Sequence, residues 1–424
     1  MARTKVIIIG GGFGGINAAK IFGNTKFDVW VIDKTNHHLF QPLLYQVASA
    51  ALSPADIAVP IREILSPYSN ITVMMGEVIE IDKDQKQIVL ESHERIHYDF
   101  LIMAIGARHS YFGNDQWAEY APGLKTILDA LKIRERILIS FEKAERCDSI
   151  SEAKKYLNFV IIGGGPTGVE LAGAIAEIAY ETMLRNFRRI DTNQTKIYLV
   201  EGTAHILPVY PEKLSAKAQQ YLERFGVRVL TGKKVTDITA EGVQIEDKMI
   251  ETRNIIWAAG NQVSPLTKTL NVPLDRQGRV IVESDLTIPD HPEIFVIGDC
   301  AAASTKKGDY LPALAPVASQ QGRYVANLIK RNVPKSQRIP FKYLDKGTMA
   351  TIGKTKAIGM FGKLQFSGFI AWLAWCFVHI MYLINFRNRI VVVTQWLFSY
   401  YSDRRGARLI NRPIHNKEKT EGSS

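Results

Sequence analysis

The sequence predicts an α/β fold with two Rossmann-like dinucleotide-binding domains. Two glycine-rich fingerprints of the form G-x-G-x-x-G carry this prediction, and each follows a short apolar run typical of a buried strand. Their glycines are Gly10, Gly12 and Gly15 in the first fingerprint and Gly163, Gly165 and Gly168 in the second. A strand that turns tightly into a helix directs the helix N-terminus at a pyrophosphate. We therefore expect two bound dinucleotides, with electron transfer between them.

The second predicted strand of each domain leads to a carboxylate. The run 29–32 is followed by Asp33, and the run 197–200 is followed by Glu201. A carboxylate at this position accepts hydrogen bonds from the adenosine ribose hydroxyls and repels a 2′-phosphate. Because residues 202–205 contain no Lys or Arg, we expect the second site to prefer NADH to NADPH.

A third motif indicates which site holds flavin. The apolar run 294–297 precedes Gly298 and Asp299, and an acid at such a strand end can bind a ribityl hydroxyl. The stretches 101–106 and 255–260 are predicted to be matching strand ends, one in each domain. This order resembles the glutathione-reductase-like layout of flavoproteins, in which FAD is bound by the first domain and NAD(P)H by the second.

The domain boundaries follow from these motifs. Residues 1–120 and 280–345 are predicted to form a discontinuous FAD-binding domain, and residues 155–275 an NADH-binding domain. Residues 346–424 are predicted to form a C-terminal membrane-anchoring and dimerisation region, with a disordered polar tail over 415–424. A chain of 424 residues, 46% of them apolar, is long enough for two or three domains.

The net charge and the distribution of basic residues indicate which kind of partner the protein binds. A formal net charge of +11 is compatible with nucleic acid, an anionic membrane surface or anionic cofactors. No nucleic-acid-binding motif occurs, whereas the basic residues after Lys363 lie beside an aromatic-rich apolar stretch, which favours a membrane surface. The first predicted strand begins at residue 6, so we expect no signal peptide and a location on the cytosolic side.

The cysteines argue against several electron acceptors. Cys147, Cys300 and Cys376 are too few and too scattered for a disulfide framework or a metal site, and no metal is predicted. The segment 38–48 contains no cysteine, so the flavin is not expected to reduce a neighbouring dithiol. Cys300 is interpreted as a small buried residue beside a turn, because a single thiol cannot form an intramolecular disulfide there.

The uncharged stretch Leu364–Phe386 has the length of a membrane span. It is compatible with a transmembrane helix, with a buried core or dimer helix, or with a segment that lies in the membrane interface. His379 and Asn385 within it, and the short second apolar stretch 390–398, favour the interfacial segment. We then expect three tryptophans at headgroup depth and the basic residues directed outward; these are Trp372, Trp375 and Trp396, and Arg404, Arg405, Arg408 and Arg412. Membrane contact would give access to a lipid-soluble quinone.

Several segments resemble the type II NADH dehydrogenases, the single-subunit NADH:quinone oxidoreductases that do not pump protons. The resemblance runs from about residue 5 to about residue 412, and its most specific parts are 36–48, 55–62, 163–173, 347–354, Trp372-x-x-Trp375-x-x-x-His379 and 386–389. It implies hydride transfer from NADH to FAD, then transfer of two electrons to a membrane quinone, either ubiquinone or menaquinone. We expect a homodimer, because the C-terminal segment is more apolar than a single interface requires, and we expect it to bind peripherally to the cytoplasmic face of the bacterial inner membrane.

The resemblance also assigns candidate catalytic residues. The family's quinone motif, Ala-Gln-x-Ala-x-Gln, reads Ala-Pro-Val-Ala-Ser-Gln over 315–320, so Pro316 replaces one glutamine. Pro316, Gln320 and Gln321 are the predicted quinone contacts, on a helix whose first turn tolerates the proline. Glu170 is predicted to lie near the nicotinamide and to assist proton delivery, with a pKa raised by desolvation. Alternatively, Glu170 interacts with the helix macrodipole from the first turn.

The remaining predicted contacts are with the cofactors. For FAD they are Gly10, Gly12, Phe13, Gly14, Gly15, Asp33, Lys34, Gln41, Val78, Ala104, Gly106, Asp299 and Ala318. For NADH they are Gly163, Gly165, Pro166, Thr167, Gly168, Glu201, Ala259 and Gly260. Two other functions stay open: a soluble NADH-dependent flavin reductase that feeds a small redox protein, and a redox-sensing scaffold that binds NADH.

Overall fold

A computed structural model of the chain describes residues 3–305, 308–402 and 405–410. The predicted disordered tail over 415–424, and the predicted outward arginines Arg404 and Arg412, lie outside these residues. The chain divides into two compact units, each built from separate segments. The first unit contains Met1–Leu39, Ala58–Ser110 and Asn261–Lys346, and the second contains Phe40–Ile57, Tyr111–Gly260 and Gly347–Ser424.

The strands and helices below are those of the described residues. The strands are β1 (Lys5–Ile9), β2 (Asp28–Asp33), β3 (His37–Leu39), β4 (Ala58–Pro60), β5 (Ile71–Met75), β6 (Val78–Asp82), β7 (Gln87–Leu90), β8 (Arg95–His97), β9 (Phe100–Met103), β10 (Arg108–His109), β11 (Asn158–Ile162), β12 (Lys196–Val200), β13 (Val227–Leu230), β14 (Val235–Ile238), β15 (Gly242–Ile245), β16 (Lys248–Glu251), β17 (Asn254–Trp257), β18 (Asn261–Gln262), β19 (Val280–Ile281), β20 (Thr287–Ile288), β21 (His291–Val296), β22 (Ala301–Ala302), β23 (Thr348–Ile352), β24 (Lys356–Phe361) and β25 (Leu364–Gly368). The α-helices are α1 (Phe13–Phe22), α2 (Leu44–Ala48), α3 (Pro54–Ile57), α4 (Ile61–Leu65), α5 (Ile127–Arg146), α6 (Ile150–Leu157), α7 (Pro166–Glu177), α8 (Glu212–Arg224), α9 (Ala315–Lys330), α10 (Phe369–Tyr382) and α11 (Phe386–Ser402).

The first unit is built on a six-stranded sheet in the order β20-β21-β9-β1-β2-β5. Strands β21, β9, β1, β2 and β5 run parallel, and β20 is antiparallel to β21. The sequence of β1 is almost entirely apolar and its residues 6–9 are buried, as a parallel strand covered on both faces requires. Helices α1 and α9 pack together so closely that a Cβ at Gly322 would lie 2.2 Å from the Gly14 carbonyl oxygen.

The second unit repeats this design with a four-stranded parallel sheet in the order β13-β12-β11-β17. Strand β11 is buried and leads into α7, as β1 leads into α1. Beyond Glu177 the helix continues as one π-helical turn, Ile178–Thr182. The predicted α/β fold with two Rossmann-like domains is therefore confirmed, and the assignment of a cofactor to each domain stays a prediction.

The C-terminal part of the second unit differs from the sequence prediction. The first five residues of the uncharged stretch form strand β25, which completes an antiparallel sheet with β23 and β24. Gly368, with φ of +85°, ends the strand, and α10 begins at Phe369. The chain leaves the helical conformation at Leu383 and starts α11 at Phe386, so the stretch is not one continuous helix.

Two predicted orientations in this region are wrong. Trp375 was expected at headgroup depth, but it is 1% exposed and stacks on His379 with ring centroids 4.1 Å apart. Arg405 was expected to face outward, but it is buried against a carboxylate, Glu177. Many other apolar side chains of α10 and α11 are exposed: Phe369, Ile370, Leu373, Phe377, Met381, Tyr382, Phe386, Ile390, Val393, Leu397, Phe398, Tyr400 and Tyr401. Among the described residues, no helix combines the length and the apolar character that crossing a bilayer requires.

Candidate functional site: two matched dinucleotide cradles

The first fingerprint forms a cradle between β1 and α1. Gly10 adopts φ of +105°, and its N–H donates to the Ile32 carbonyl of β2 at 2.8 Å, which ties the start of the turn to the sheet. A Cβ at Gly15 would lie 1.8 Å from the Gly10 carbonyl oxygen, so helix and strand meet without room for a side chain. Gly12 is the N-cap of α1, which has no side-chain cap, and a Cβ there would meet no protein atom within 4 Å. The open space at Gly12 and the uncapped helix N-terminus fit a pyrophosphate.

The second fingerprint reproduces this cradle at the start of α7. Gly163 adopts φ of +111°, and its N–H donates to the Val200 carbonyl at 2.8 Å. A Cβ at Gly168 would lie 1.9 Å from the Gly163 carbonyl oxygen, whereas a Cβ at Gly165 would meet nothing within 4 Å. Gly165 is the N-cap of α7 and again provides no side-chain cap. The same local geometry therefore occurs once in each unit, and both cradles fit the pyrophosphate of a dinucleotide.

Each predicted ribose carboxylate is tied to its own cradle. Asp33 Oδ2 accepts the Gly11 N–H at 2.6 Å, and its Oδ1 accepts the Thr35 N–H at 2.7 Å. Glu201 Oε2 accepts the Gly164 N–H at 2.7 Å, and its Oε1 accepts the Thr203 N–H at 2.8 Å. Each carboxylate is thus held in one orientation and retains lone pairs for ribose hydroxyls.

The structure places most of the other predicted FAD contacts in the first unit. Gly14 lies beside Ile297 and Ala318, and Asp299 lies in the 3-10 turn after β21. Phe13, Lys34, Ala104, Gly106 and Asp299 are half-buried or exposed, whereas Val78 is buried at the start of β6. Gln41 lies in the second unit, where its Nε2 donates to the Lys125 carbonyl at 3.2 Å. The predicted NADH contacts all lie in the second unit, and Pro166, Thr167, Ala259 and Gly260 are exposed or half-buried.

Glu170 lies in the second turn of α7, because the helix begins at Pro166. The expected first-turn position, and with it the macrodipole interpretation, is wrong. Burial raises the pKa of the Glu170 carboxyl to about 8, although the Thr351 N–H donates to it and acts in the opposite direction. Residue Glu170 as a whole is half-buried. A carboxyl with such a pKa holds a proton at neutral pH and can release it, as a proton carrier must.

The predicted quinone residues lie on α9 and differ in exposure. Pro316 occupies the first turn of the helix, as predicted. The Gln320 side chain is half-buried; its Nε2 donates to the Leu344 carbonyl at 2.9 Å, and its Oε1 accepts the Leu344 N–H at 3.0 Å. Gln321 is 1% exposed, and its Oε1 accepts the Gly298 N–H at 2.6 Å. Gln321 therefore holds the turn that carries Asp299, and the quinone contacts of all three residues stay predictions.

Cys300 occupies the environment expected of an unreactive thiol. It is fully buried, its Sγ donates to the Ile297 carbonyl at 3.1 Å, and burial raises its pKa to about 12. The interpretation as a small buried residue beside a turn is confirmed.

Three buried residues of the segment 36–48 have partners that the sequence did not predict, and one of them, His38, contacts the first cradle. His38 is buried, and its Nδ1 donates to the Gly11 carbonyl at 2.9 Å, so both polar groups of Gly11 are fixed. Burial lowers the pKa of His38 to about 4, which keeps the ring neutral at pH 7. Tyr45 and Gln46 are also buried. Gln46 Nε2 donates to the Tyr45 hydroxyl at 2.8 Å, and Gln46 Oε1 accepts the Trp396 Nε1–H at 2.7 Å. No spacing rule relates such partners, although His38, Tyr45 and Gln46 lie within the segment that carries the family resemblance.

Comparisons with known proteins identify the family. Residues 4–322 match the family described as pyridine nucleotide-disulphide oxidoreductase, and residues 346–405 match the NDH2 C-terminal domain. Over 419 residues the chain is 42% identical to the type II NADH:quinone oxidoreductase Ndh of Mycobacterium tuberculosis, with 95% of this chain and 89% of the relative covered. This chain belongs to the type II NADH:quinone oxidoreductase family. The predicted enzyme class and the predicted cofactors, FAD and NADH, are confirmed.

More distant members extend the match. The type II NADH:quinone oxidoreductase of Staphylococcus saprophyticus is 28% identical, with 84% of this chain and 90% of the relative covered. The structure of NDH2 from Plasmodium falciparum in complex with NADH superposes with a TM-score of 0.88 at 22% identity, covering 95% of this chain and 99% of that one. The sulfide:quinone oxidoreductase of Aquifex aeolicus has a TM-score of 0.73 at 18% identity, with 94% and 96% covered. These structural likenesses show a shared fold.

Proposed function

We propose that this chain oxidises NADH and reduces a membrane quinone through bound FAD, without pumping protons. The observation that carries the proposal is the pair of matched cradles, each with its own carboxylate, in a member of the type II family. FAD held by the first cradle would supply the redox chemistry, which is acceptance of a hydride from NADH and transfer of two electrons to the quinone. The absence of pumping is what resemblance to the family implies.

The residues of the second unit orient the substrate and hold a proton. The cradle from Gly163 to Gly168 binds the NADH pyrophosphate, and Glu201 accepts hydrogen bonds from its ribose. A carboxylate in that position repels a 2′-phosphate, which supports NADH over NADPH. Glu170, protonated at neutral pH, supplies one of the two protons that quinone reduction consumes. In the first unit, Gln320 keeps one amide N–H beyond its two bonds to Leu344, and this N–H is proposed to bind the quinone head.

The deciding measurement is NADH oxidation by the purified, FAD-containing protein with a short-chain quinone, beside reactions with NADPH and with oxygen alone. We expect fast quinone-dependent turnover and a preference for NADH. If NADH bleached the flavin but quinone gave no turnover, the proposed acceptor would be wrong. Such a result would favour a flavin reductase that feeds a redox protein.

The exposed apolar side chains of α10 and α11 support association with a membrane surface, proposed here as the cytoplasmic face of a bacterial inner membrane. So many apolar side chains on adjacent helices are unusual on a surface that faces only water. The same region is proposed to contribute to a homodimer, which sedimentation of the detergent-solubilised protein would test.

Charges placed on α10 are expected to release the protein from membranes. Ile370 and Phe377 are 76% and 68% exposed. The double variant Ile370→Glu and Phe377→Glu should weaken vesicle binding at least tenfold. Each substitution removes an apolar side chain whose burial in the membrane contributes about 1.5–3 kcal/mol to binding. Co-sedimentation with phospholipid vesicles measures this. Ile150→Glu, on the exposed start of α6, is the control, and equal binding by both variants would contradict the proposal.

A further inference from the structure

Arg405 forms a buried ion pair with Glu177, the last residue of α7. An Arg405 guanidinium nitrogen lies 2.6 Å from Glu177 Oε2, and the two side chains are 6% and 8% exposed. The guanidinium also donates to the Ser49 carbonyl at 2.6 Å, directly after α2. A buried charge requires such compensation, because removal of either partner leaves the other uncompensated away from water.

Glu177 also holds the turn that follows β23. Its Oε1 accepts the Lys354 N–H at 2.5 Å. The approach of this turn to α7 leaves no room for side chains, since a Cβ at Gly353 would lie 2.6 Å from Glu177 Oε1 and a Cβ at Gly173 would lie 2.9 Å from the Gly353 nitrogen. Lys354 Nζ adds a second ion pair with Glu181 at 2.9 Å. Arg405 and Glu177 together therefore fasten three segments to one another.

The three segments are those that surround Glu170. Helix α7 carries Glu170 two turns before Glu177 and on the same face. The Thr351 N–H of β23, which donates to Glu170, lies three residues before Lys354. Helix α2, which ends beside Ser49, packs on α7 and carries Tyr45. Among the described residues, Tyr45 and Tyr210 interact electrostatically with Glu170, and the Tyr210 hydroxyl lies 3.0 Å from Thr348 Oγ1.

We propose that Arg405 is a positioning residue for Glu170, which it holds in its dry setting by clamping α2, α7 and the turn after β23 around it. This inference rests on the proton-carrying role proposed for Glu170. It gives Arg405, which follows α11, a part in the reaction.

Loss of the Arg405–Glu177 ion pair is expected to change the pH dependence of quinone reduction. Burial is the main cause of the raised pKa of Glu170, and the Thr351 N–H acts against it. If the clamp loosens, water reaches the carboxyl, and the loss of desolvation outweighs the loss of that hydrogen bond. The pKa of Glu170 then falls, and the decline of quinone reduction with rising pH moves to lower pH.

The test compares full-length Arg405→Gln with Arg408→Gln as the matched control. Arg408 is half-buried, and its guanidinium meets only the Arg405 carbonyl and the Met183 sulfur among the bonds described for it. We expect Arg405→Gln to lower quinone turnover about tenfold and to move the alkaline limb down by about one pH unit. Flavin bleaching by NADH should stay within about twofold of wild type. Arg408→Gln should match wild type in all three.

A second variant keeps the inference testable if Arg405→Gln does not fold. Glu177→Gln combined with Arg405→Met removes both buried charges, which proteins often tolerate, but it also removes the clamp, so the limb should again move. An unshifted limb in whichever of the two variants folds would overturn the inference, as would equal losses of bleaching and turnover per folded molecule. Failure of the proposed function is distinguishable, because wild type itself would then show no quinone turnover.

Discussion

Gly165→Ala is expected to raise KM for NADH at least tenfold while FAD content and the unfolding temperature stay those of the wild type. A Cβ at Gly165 meets no protein atom within 4 Å, so the fold accepts it. The methyl group instead occupies space at the N-cap of α7, where the backbone must approach the pyrophosphate. Displacing a dinucleotide by part of an ångström is enough for such a loss, about 1.4 kcal/mol for each factor of ten. Steady-state rates over a range of NADH concentrations measure KM, and the flavin absorbance of the purified variant measures its FAD content.

Gly168→Ala is the informative contrast, three residues along the same fingerprint. Its Cβ would lie 1.9 Å from the Gly163 carbonyl oxygen, so strand and helix must separate. We expect a lower unfolding temperature and a low yield of folded protein. If Gly165→Ala destabilised the protein as much as Gly168→Ala, or left KM for NADH unchanged, Gly165 would not face the bound dinucleotide.

Glu170→Gln is expected to lower quinone turnover by about 100-fold, a loss typical of a removed general acid. With a pKa of about 8, Glu170 is protonated at pH 7 and ionises as the pH rises. Wild-type turnover should therefore fall through pH 8, and the variant should lack this limb because glutamine does not ionise. Flavin bleaching by NADH should remain within a few-fold of wild type, since that step consumes no proton from Glu170. An unchanged alkaline limb in the variant would assign it to another group.

The same carboxyl links stability to pH. Its pKa of about 8 in the folded protein lies above the ordinary value of 4.5, so between these values the folded protein holds a proton that the unfolded chain has released. The free energy of unfolding should therefore fall as the pH rises through this window, by up to about 1.4 kcal/mol per pH unit from this group. Glu170→Gln should remove that contribution, which denaturant titrations at pH 6 and pH 8 would detect.

The sequence was most informative where function depends on neighbouring residues. The fingerprints, their strands and the carboxylates at Asp33 and Glu201 were all predictable, because each is a local pattern of glycines and apolar residues. The strand over Leu364–Gly368 was not, since an uncharged run has no period that separates strand from helix, and its pairing with β24 is decided by tertiary contacts.

Long-range pairs account for the remaining errors. The prediction that Arg405 faces outward is wrong because its buried partner, Glu177, lies 228 positions earlier in the chain, and no sequence pattern relates the two residues. The prediction that Trp375 lies at headgroup depth is wrong because nothing local predicts its stacking on His379 or its contact with the Trp396 ring. The prediction that Glu170 lies in the first turn is wrong because α7 begins at Pro166, earlier than expected, and the end residues of a helix are hard to predict from sequence.

The order of the sheet in the first unit also has consequences for biosynthesis. Strands β1 and β2 leave the ribosome early, yet β21, which pairs with β9, and helix α9, which packs on α1, come from residues beyond 290. At roughly 5–20 residues per second, some 15–60 s pass between synthesis of the first fingerprint and of the Gly298–Asp299 turn. By the end of that time all strands of the second unit's sheet have been synthesised, whereas β9 still lacks β21 and α1 still lacks α9. FAD is therefore expected to be acquired late, and chaperones should contact nascent chains that end before α9.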